Sequence, residues 1–256
     1  MSRQQFGRIS HVIWNVKQYK KNYGKLKAIR VLLHYGLVAT KKIRKQNLDQ
    51  IIDVNGYKLA LIPGDLGISS ELMMFKTHEP LTTNLLSKEL KKDMVCLDVG
   101  GNIGYYTLLE SNIVGSGGKV IAIEPSPPNF QRLKKNLEIQ DTENVDAYNF
   151  AAGDVDGSVN FLVYQESNGS FTIPDGETTN LPGELIKVKA KRLDTFLDEL
   201  KLSNVDFVRM DVEGYEFHII KGMKNTIEKF KPMFQIEVHT TLLGKEETRK
   251  FLKTFQ

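Results

Sequence analysis

Met94-Val95-Cys96-Leu97-Asp98-Val99-Gly100-Gly101-Asn102-Ile103-Gly104 is an apolar strand running into a glycine-rich turn. A second apolar strand, Lys119-Val120-Ile121-Ala122-Ile123, ends in Glu124-Pro125. Apolar strands separated by a helical pattern imply parallel pairing, with helices on both faces of the sheet. A turn without Cβ atoms lets backbone approach a ligand closely, and the helix behind it points N–H groups that way. An acid at the end of the next strand can accept hydrogen bonds from the two hydroxyls of a ribose.

The alternation extends outward from this unit. Strand 95–99 leads to helix 104–113, and strand 119–123 to helix 127–139, with Ser126 as N-cap and prolines in the first turn. Strand 145–150 comes next. Strand 205–210 precedes helix 214–228, and strand 233–239 precedes helix 245–255. Upstream, Leu81 to Lys91 reads as a lead-in helix. Residues 51–62 read as a hairpin turning at Asn55-Gly56 and ended by Pro63-Gly64-Asp65. Ser158–Tyr164 and Leu185–Ala190 read as inserted strands. Between them Gln165 to Gly183, rich in Gly, Ser, Thr, Asn and Pro, is either a lid over an acceptor pocket or a plain surface loop. The expected division is a basic helical extension over 1–50, hairpin and lead-in helix over 51–92, and the sheet domain over 93–256 with 158–190 inserted.

The 256 residues suffice for one large α/β domain, and 41% hydrophobic with 26% charged content is globular. The single cysteine, Cys96, lies in a core strand and cannot form an internal disulfide. Net charge is +4 but unevenly spread. Residues 1–50 carry 12 Lys+Arg against one acid, while the rest carries 23 against 30. Phe6, Ile9, Ile13 and Val16, then Leu26, Ile29 and Leu33, follow helical spacing, with a break near Asn22–Gly24. Residues 1–46 therefore suit anionic lipid or nucleic acid, or form a solvated helical face. Val31 to Ala39 is too short to span a bilayer, and no secretory signal pattern is evident. The expectation is a cytoplasmic chain, peripheral to a membrane at most.

The glycine pattern separates two donor chemistries. A dinucleotide turn needs a second glycine two residues after the first, where pyrophosphate meets backbone. Gly100-Gly101-Asn102-Ile103-Gly104 lacks that G-x-G-x-x-G order. Asp98, two residues before Gly100, would repel a pyrophosphate. It suits a ligand bearing an ammonium and a sulfonium, which points to S-adenosyl-L-methionine.

Four motifs in order, Asp98–Thr107, Glu124–Phe130, Arg209-Met-Asp-Val-Glu-Gly-Tyr-Glu216 and Glu237-Val-His239, resemble the FkbM family of methyltransferases. Thr77-His78-Glu79-Pro80 and the hairpin also fit, so the resemblance spans roughly residues 50 to 240. It implies the class I Rossmann-like methyltransferase fold, a mostly parallel α/β sheet flanked by helices, here with an N-terminal helical extension and a β-hairpin. It also implies O-methylation of a hydroxyl on a sugar, glycan or lipid-linked precursor. Gly101 stands where alanine is common. A class I sheet usually adds an antiparallel strand pair beyond its fifth strand, whereas here one helix and Gln256 follow. That edge is expected to be covered by the hairpin or by a second copy of the chain, unless the sequence is truncated.

The resemblance assigns the methionine half of the cofactor to Asp98, Gly100, Asn102 and Gly104, with Glu79 and Tyr105 nearby. It assigns the ribose to Glu124, and the adenine to Pro125, Ala152 and Asp154. A hydroxyl acceptor must lose a proton, and the candidates for that step are His239, Asp211 and Glu213, with Glu237 beside them. His239 is the expected base because an unperturbed imidazole titrates near neutral pH. No metal is required, although Asp211, Glu237 and His239 could instead collect a divalent ion. An RNA methyltransferase gripping phosphate with its basic arm, and a non-catalytic cofactor-binding scaffold, are the competing readings.

Overall fold

The computed structural model describes residues 24–26, 29, 32–33, 50–65, 67–164, 169–173, 183–239, 246, 248–249, 251 and 253. A hairpin of β1 (Ile51–Val54) and β2 (Tyr57–Ala60) comes first, followed by α1 (Ile68–Phe75) and α2 (Pro80–Glu89). The core runs β3 (Val95–Val99), α3 (Tyr105–Val114), β4 (Lys119–Ile123), α4 (Pro127–Ile139) and β5 (Val145–Tyr148). An insertion supplies β6 (Ala151–Gly153), β7 (Gly157–Val163), β8 (Phe171–Ile173), β9 (Glu184–Arg192) and α5 (Leu193–Glu199). The core then resumes with β10 (Phe207–Met210), α6 (Glu216–Gly222), α7 (Lys224–Phe230) and β11 (Met233–Ile236).

Five strands form one sheet in the order β11-β10-β3-β4-β5, every neighbour parallel. From β3 the chain winds outward through β4 and β5 on one side and β10 and β11 on the other. The winding reverses between β3 and β10, and open α/β sheets bind ligands beside the carboxyl ends of strands at such a point. Gly100, Glu124, Asp211 and Glu237 all follow strands there.

Alternation along the buried strands divides the core. Cys96, Val120 and Phe207 face the hairpin, α1, α2 and α3, packing with Leu59, Leu72, Leu86 and Leu108. Leu97, Val99, Ile121, Ile123, Val208 and Met210 face the other way, onto Phe196, Ile219 and Ile220. Each fully buried Leu, Ile or Phe in these clusters contributes about 1.5–3 kcal/mol of transfer free energy.

The insertion pairs as a separate four-stranded sheet, β6-β9-β7-β8. Its lid segment lies outside the described residues except for 169–173 and 183. Most of 1–49 also lies outside them, and Lys25, Leu26, Ile29, Leu32 and Leu33 are helical. Within 245–255, residues 246, 248–249, 251 and 253 are helical.

Three expectations need correction. The helix expected over 214–228 is two helices, parted at Met223. Gly222 there packs so closely that a Cβ would lie 1.8 Å from the Gly153 carbonyl oxygen. Ser126 precedes α4 but makes no side-chain cap; its backbone N–H instead donates to Glu124. The hairpin does not cover the β11 edge. It packs against α4, where buried Asn136 receives the Ala60 N–H at 2.7 Å and donates to the Ala60 and Ile103 carbonyls at 3.2 and 2.7 Å. One amide thereby ties the hairpin to the loop entering α3.

Replacing Asn136 by Ala orphans three buried backbone groups, each worth about 1–3 kcal/mol when left unpaired. Urea unfolding of Asn136→Ala will show a stability loss on the order of 3 kcal/mol.

Candidate active site

The turn after β3 is a latch. The N–H groups of Gly100 and Gly101 both donate to the Ile123 carbonyl, at 2.9 and 3.1 Å. The Asn102 N–H donates to Glu124 Oε2 at 2.8 Å, and Ser126 N–H to Oε1 at 2.8 Å. Three successive N–H groups are therefore consumed inside the protein, so they do not serve as an anion cradle. Gly100 has φ 91°, and a Cβ on it would stand 2.0 Å from the Asp211 carbonyl oxygen. Only glycine fits that approach.

Asp98 faces inward. It is fully buried, accepts a hydrogen bond from Thr107 at 2.5 Å and pairs with Arg209 at 3.0 Å. Arg209 sits directly opposite it in the β3–β10 register and extends its other nitrogen to Asp211 at 2.8 Å. The guanidinium also lies 4.1 Å from the centre of the Tyr106 ring, a cation–π contact. These acids hold Arg209 charged against the cost of burial. Nearby Glu110 is fully buried with neither carboxyl oxygen hydrogen-bonded among the described residues; burial and Asp98 push it well above the usual carboxylate range.

Two crevices meet over this turn. The first, of about 580 Å³, is lined by Gly100, Asn102, Glu124, Pro125, Ala152, Phe161 and Tyr215, with Phe171 and Thr172 of the insertion. The second, of about 450 Å³, is lined by His78, Glu79, Gly101, Tyr105, Tyr106, Arg209 and Glu237. Gly100, Asn102, Asp211 and Glu213 line both.

Most of the anticipated residues line these crevices; Asp98, Gly104, Asp154 and His239 do not. Asp98 lines neither crevice, because Arg209 and Thr107 claim its oxygens. Gly104, at φ 93°, packs against Leu133 and lets α3 approach α4. Asp154 pairs with His218 at 3.1 Å and Lys221 at 2.6 Å on α6 and lines neither crevice. Lining residues without an assigned role in the sequence reading are His78, Tyr106, Arg209 and the aromatic wall of Phe161 and Phe171. Arg209 had one legible sign, a charge inside an otherwise apolar strand opposite an acid in its neighbour.

Past the ends of β10 and β11 lies a dense group of ionisable side chains. His239 Nδ1 bonds the fully buried Glu216 at 2.7 Å, which aims Nε2 at Glu213 (3.3 Å), Glu237 (3.7 Å) and Asp211 (3.9 Å). Burial opposes charge on His239, but Glu216, Glu213 and Asp211 outweigh it and push the imidazole up to about 9. That favours the imidazolium at neutral pH and weighs against the role of base expected of His239. Burial, with Asp211, Glu216 and Glu79 adding and His239 opposing, pushes Glu213 up to about 7. Glu237 rises to about 7 through burial and through Asp211 and Glu79. Glu213 also holds a left-handed φ of 51° before Gly214, the backbone strain found at functional positions. Ligand atoms of Asp211, Glu237 and His239 lie within 4.8 Å of one another, so a divalent cation could also be held there.

The reversal point, the glycine turn and the acid after β4 define a class I methyltransferase fold. Within that class the chain belongs to the FkbM family, whose methyltransferase domain matches residues 98–255. The protein-L-isoaspartate(D-aspartate) O-methyltransferase profile matches residues 21–160. Among curated relatives, Methyltransferase 1 of Beauveria bassiana is 28% identical over 147 residues, covering 51% of this chain and 59% of its own. Hexuronic acid methyltransferase AglP of Haloferax volcanii is 26% identical, covering 64% of each. The 2-O-methyltransferase NoeI of Sinorhizobium fredii is 26% identical, covering 64% and 69%. The chain thus spans about three-fifths of the length of the first two relatives. A crystal structure of methyltransferase FkbM from Methylobacillus flagellatus aligns with TM-score 0.44 at 20% identity, covering 66% of this chain and 39% of that one.

If Asp98 serves Arg209 rather than a ligand, Asp98→Asn will act on stability first. Breaking a buried pair on one side costs about 3–5 kcal/mol. Thermal melting of the ligand-free variant will fall accordingly, whereas a pure ligand contact would leave it unchanged.

Proposed function

We propose that this chain is an S-adenosylmethionine-dependent O-methyltransferase acting on a hydroxyl of a sugar, glycan or glycolipid precursor. The observation that carries this reading is Glu213, a carboxylate poised near neutrality where the two crevices meet. The residues present fit the cofactor. Glu124 spends one acceptor site per oxygen on backbone and keeps lone pairs for two ribose hydroxyls. Pro125, Ala152, Phe161 and Phe171 offer walls for an adenine. Glu79, Asp211, Glu213 and Glu237 supply negative charge for the ammonium and sulfonium. When bound, the cofactor supplies a methyl group already activated by sulfonium, so positioning carries much of the barrier.

The chain's own work is to orient the acceptor and take its proton. Glu213 accepts the hydroxyl proton, and the efficient base has its pKa near the working pH. The His239 imidazolium, fixed by Glu216, balances Glu213 and restrains its pKa. The relative named for 2-O-methylation supports a hydroxyl acceptor, and the one named for hexuronic acid supports a sugar. The isoaspartate profile favours a second reading, a carboxylate acceptor. The surplus of acids around Glu213 opposes an anionic acceptor, and it opposes an RNA phosphate backbone equally.

Residues 1–46 suit an acceptor linked to lipid at an anionic membrane surface, and Leu26, Ile29 and Leu33 expose their side chains. No helix among the described residues is long and apolar enough to cross a membrane.

Methyl transfer will rise with pH through about 7 as Glu213 ionises. Glu213→Gln will lower turnover about 10²–10⁴-fold while leaving S-adenosylhomocysteine affinity within a few-fold. His239→Ala removes the opposing cation, so the rising limb of the profile will move to higher pH. A rate flat across pH 6–8 would instead favour the carboxylate acceptor, which needs no base. Glu124→Gln will weaken binding of 5′-methylthioadenosine in calorimetry. Deleting residues 1–46 will abolish sedimentation with phosphatidylserine vesicles, and unchanged sedimentation refutes the lipid reading.

A further inference from the structure

The second crevice holds a group that the proposed reaction does not yet use. His78 is buried, and its Nδ1 meets Glu71 Oε2 at 2.6 Å. Nε2 on the far side of the ring has Glu79 Oε1 at 3.6 Å, beyond hydrogen-bond length. The ring is braced edge-on by Tyr105, with centres 5.7 Å apart, and lies 5.9 Å from Tyr106. This repeats the arrangement at His239. In both, a carboxylate behind the imidazole grips Nδ1 and turns Nε2 toward the other acids of the site.

The amino-acid tail of the proposed cofactor is a zwitterion. Its ammonium has four carboxylates lining this crevice to choose from. Its carboxylate needs a cation, and the described cationic residues lining the crevice are His78 and Arg209. The terminal nitrogens of Arg209 are committed, one to Asp98 and the Gly100 carbonyl and the other to Asp211, and its unpartnered Nε is buried. The turn N–H groups of Gly100, Gly101 and Asn102 are committed as well. We propose that His78, oriented by Glu71, binds the carboxylate of the methionine tail through Nε2–H. This rests on the methyl-donor reading above. Burial disfavours charge on His78, but the bond and charge of Glu71, with Glu79 and Asp211, outweigh it and raise its pKa.

Two ligands separate this role from a structural one. S-adenosylhomocysteine carries the tail, and 5′-methylthioadenosine is the same thionucleoside without it. In calorimetry on the full chain, His78→Ala will weaken S-adenosylhomocysteine on the order of ten-fold or more, as expected for loss of a hydrogen bond to a charged group. Binding of 5′-methylthioadenosine will stay within two-fold and serves as the check on folding. His78→Lys will recover part of the lost affinity by restoring a cation. Should His78→Ala prove unfolded, His78→Gln, which keeps more of the ring's volume, takes its place in the same pair of titrations. Equal weakening of both ligands, or of neither, overturns the assignment to His78. Failure of the wild-type chain to bind either ligand overturns the methyl-donor reading itself.

Discussion

The buried charge of Arg209 is the constraint on which the site depends. It lies between adjacent strands at the point where the sheet reverses its winding, and it binds an acid from each. Desolvating a guanidinium and two carboxylates is costly, and the arrangement holds only because the opposing charges and hydrogen bonds are well placed. Once in place it sets the distance between the glycine turn and the loop after β10. The same loop presents Glu213, so the proposed base is positioned by an ion pair it does not touch. Gly100 completes the arrangement, since its missing Cβ lets those two backbones meet.

Around that strut the acids have separate duties. Asp98 and Asp211 neutralise Arg209, Glu216 and Glu71 orient histidines, and Glu124 closes the turn. Glu213 and Glu237 remain facing the crevice, each near neutrality for lack of a sufficient counter-charge. A site so rich in acid favours ligands that bring positive charge.

Much of this was legible in the sequence. Strands 95–99 and 119–123 and helix 127–139 fall where periodicity and proline placement put them. Helix α1 was missed because its start is set by the Asp65 side chain, which receives the N–H groups of Gly67 and Ser69. The break at Met223 follows from contact with a glycine about seventy residues earlier, which no local pattern reports. For the site, the place of Glu124 at the end of β4 was legible because its partners are neighbours in the motif. The pairing of Asp98 with Arg209 was not, because the two lie 111 positions apart. The raised pKa of His239 was not legible for the same reason: the acids that set it come from a different loop and helix.

The glycine turn also bears on how such a chain can change over time. Its three amide hydrogens already hold a carbonyl and a carboxylate within the fold. Converting it to carry a diphosphate would require freeing those amides, and thus undoing the acid that closes the loop before any new cofactor could repay the loss. A substitution within the turn would therefore cost the fold before it could gain a new ligand.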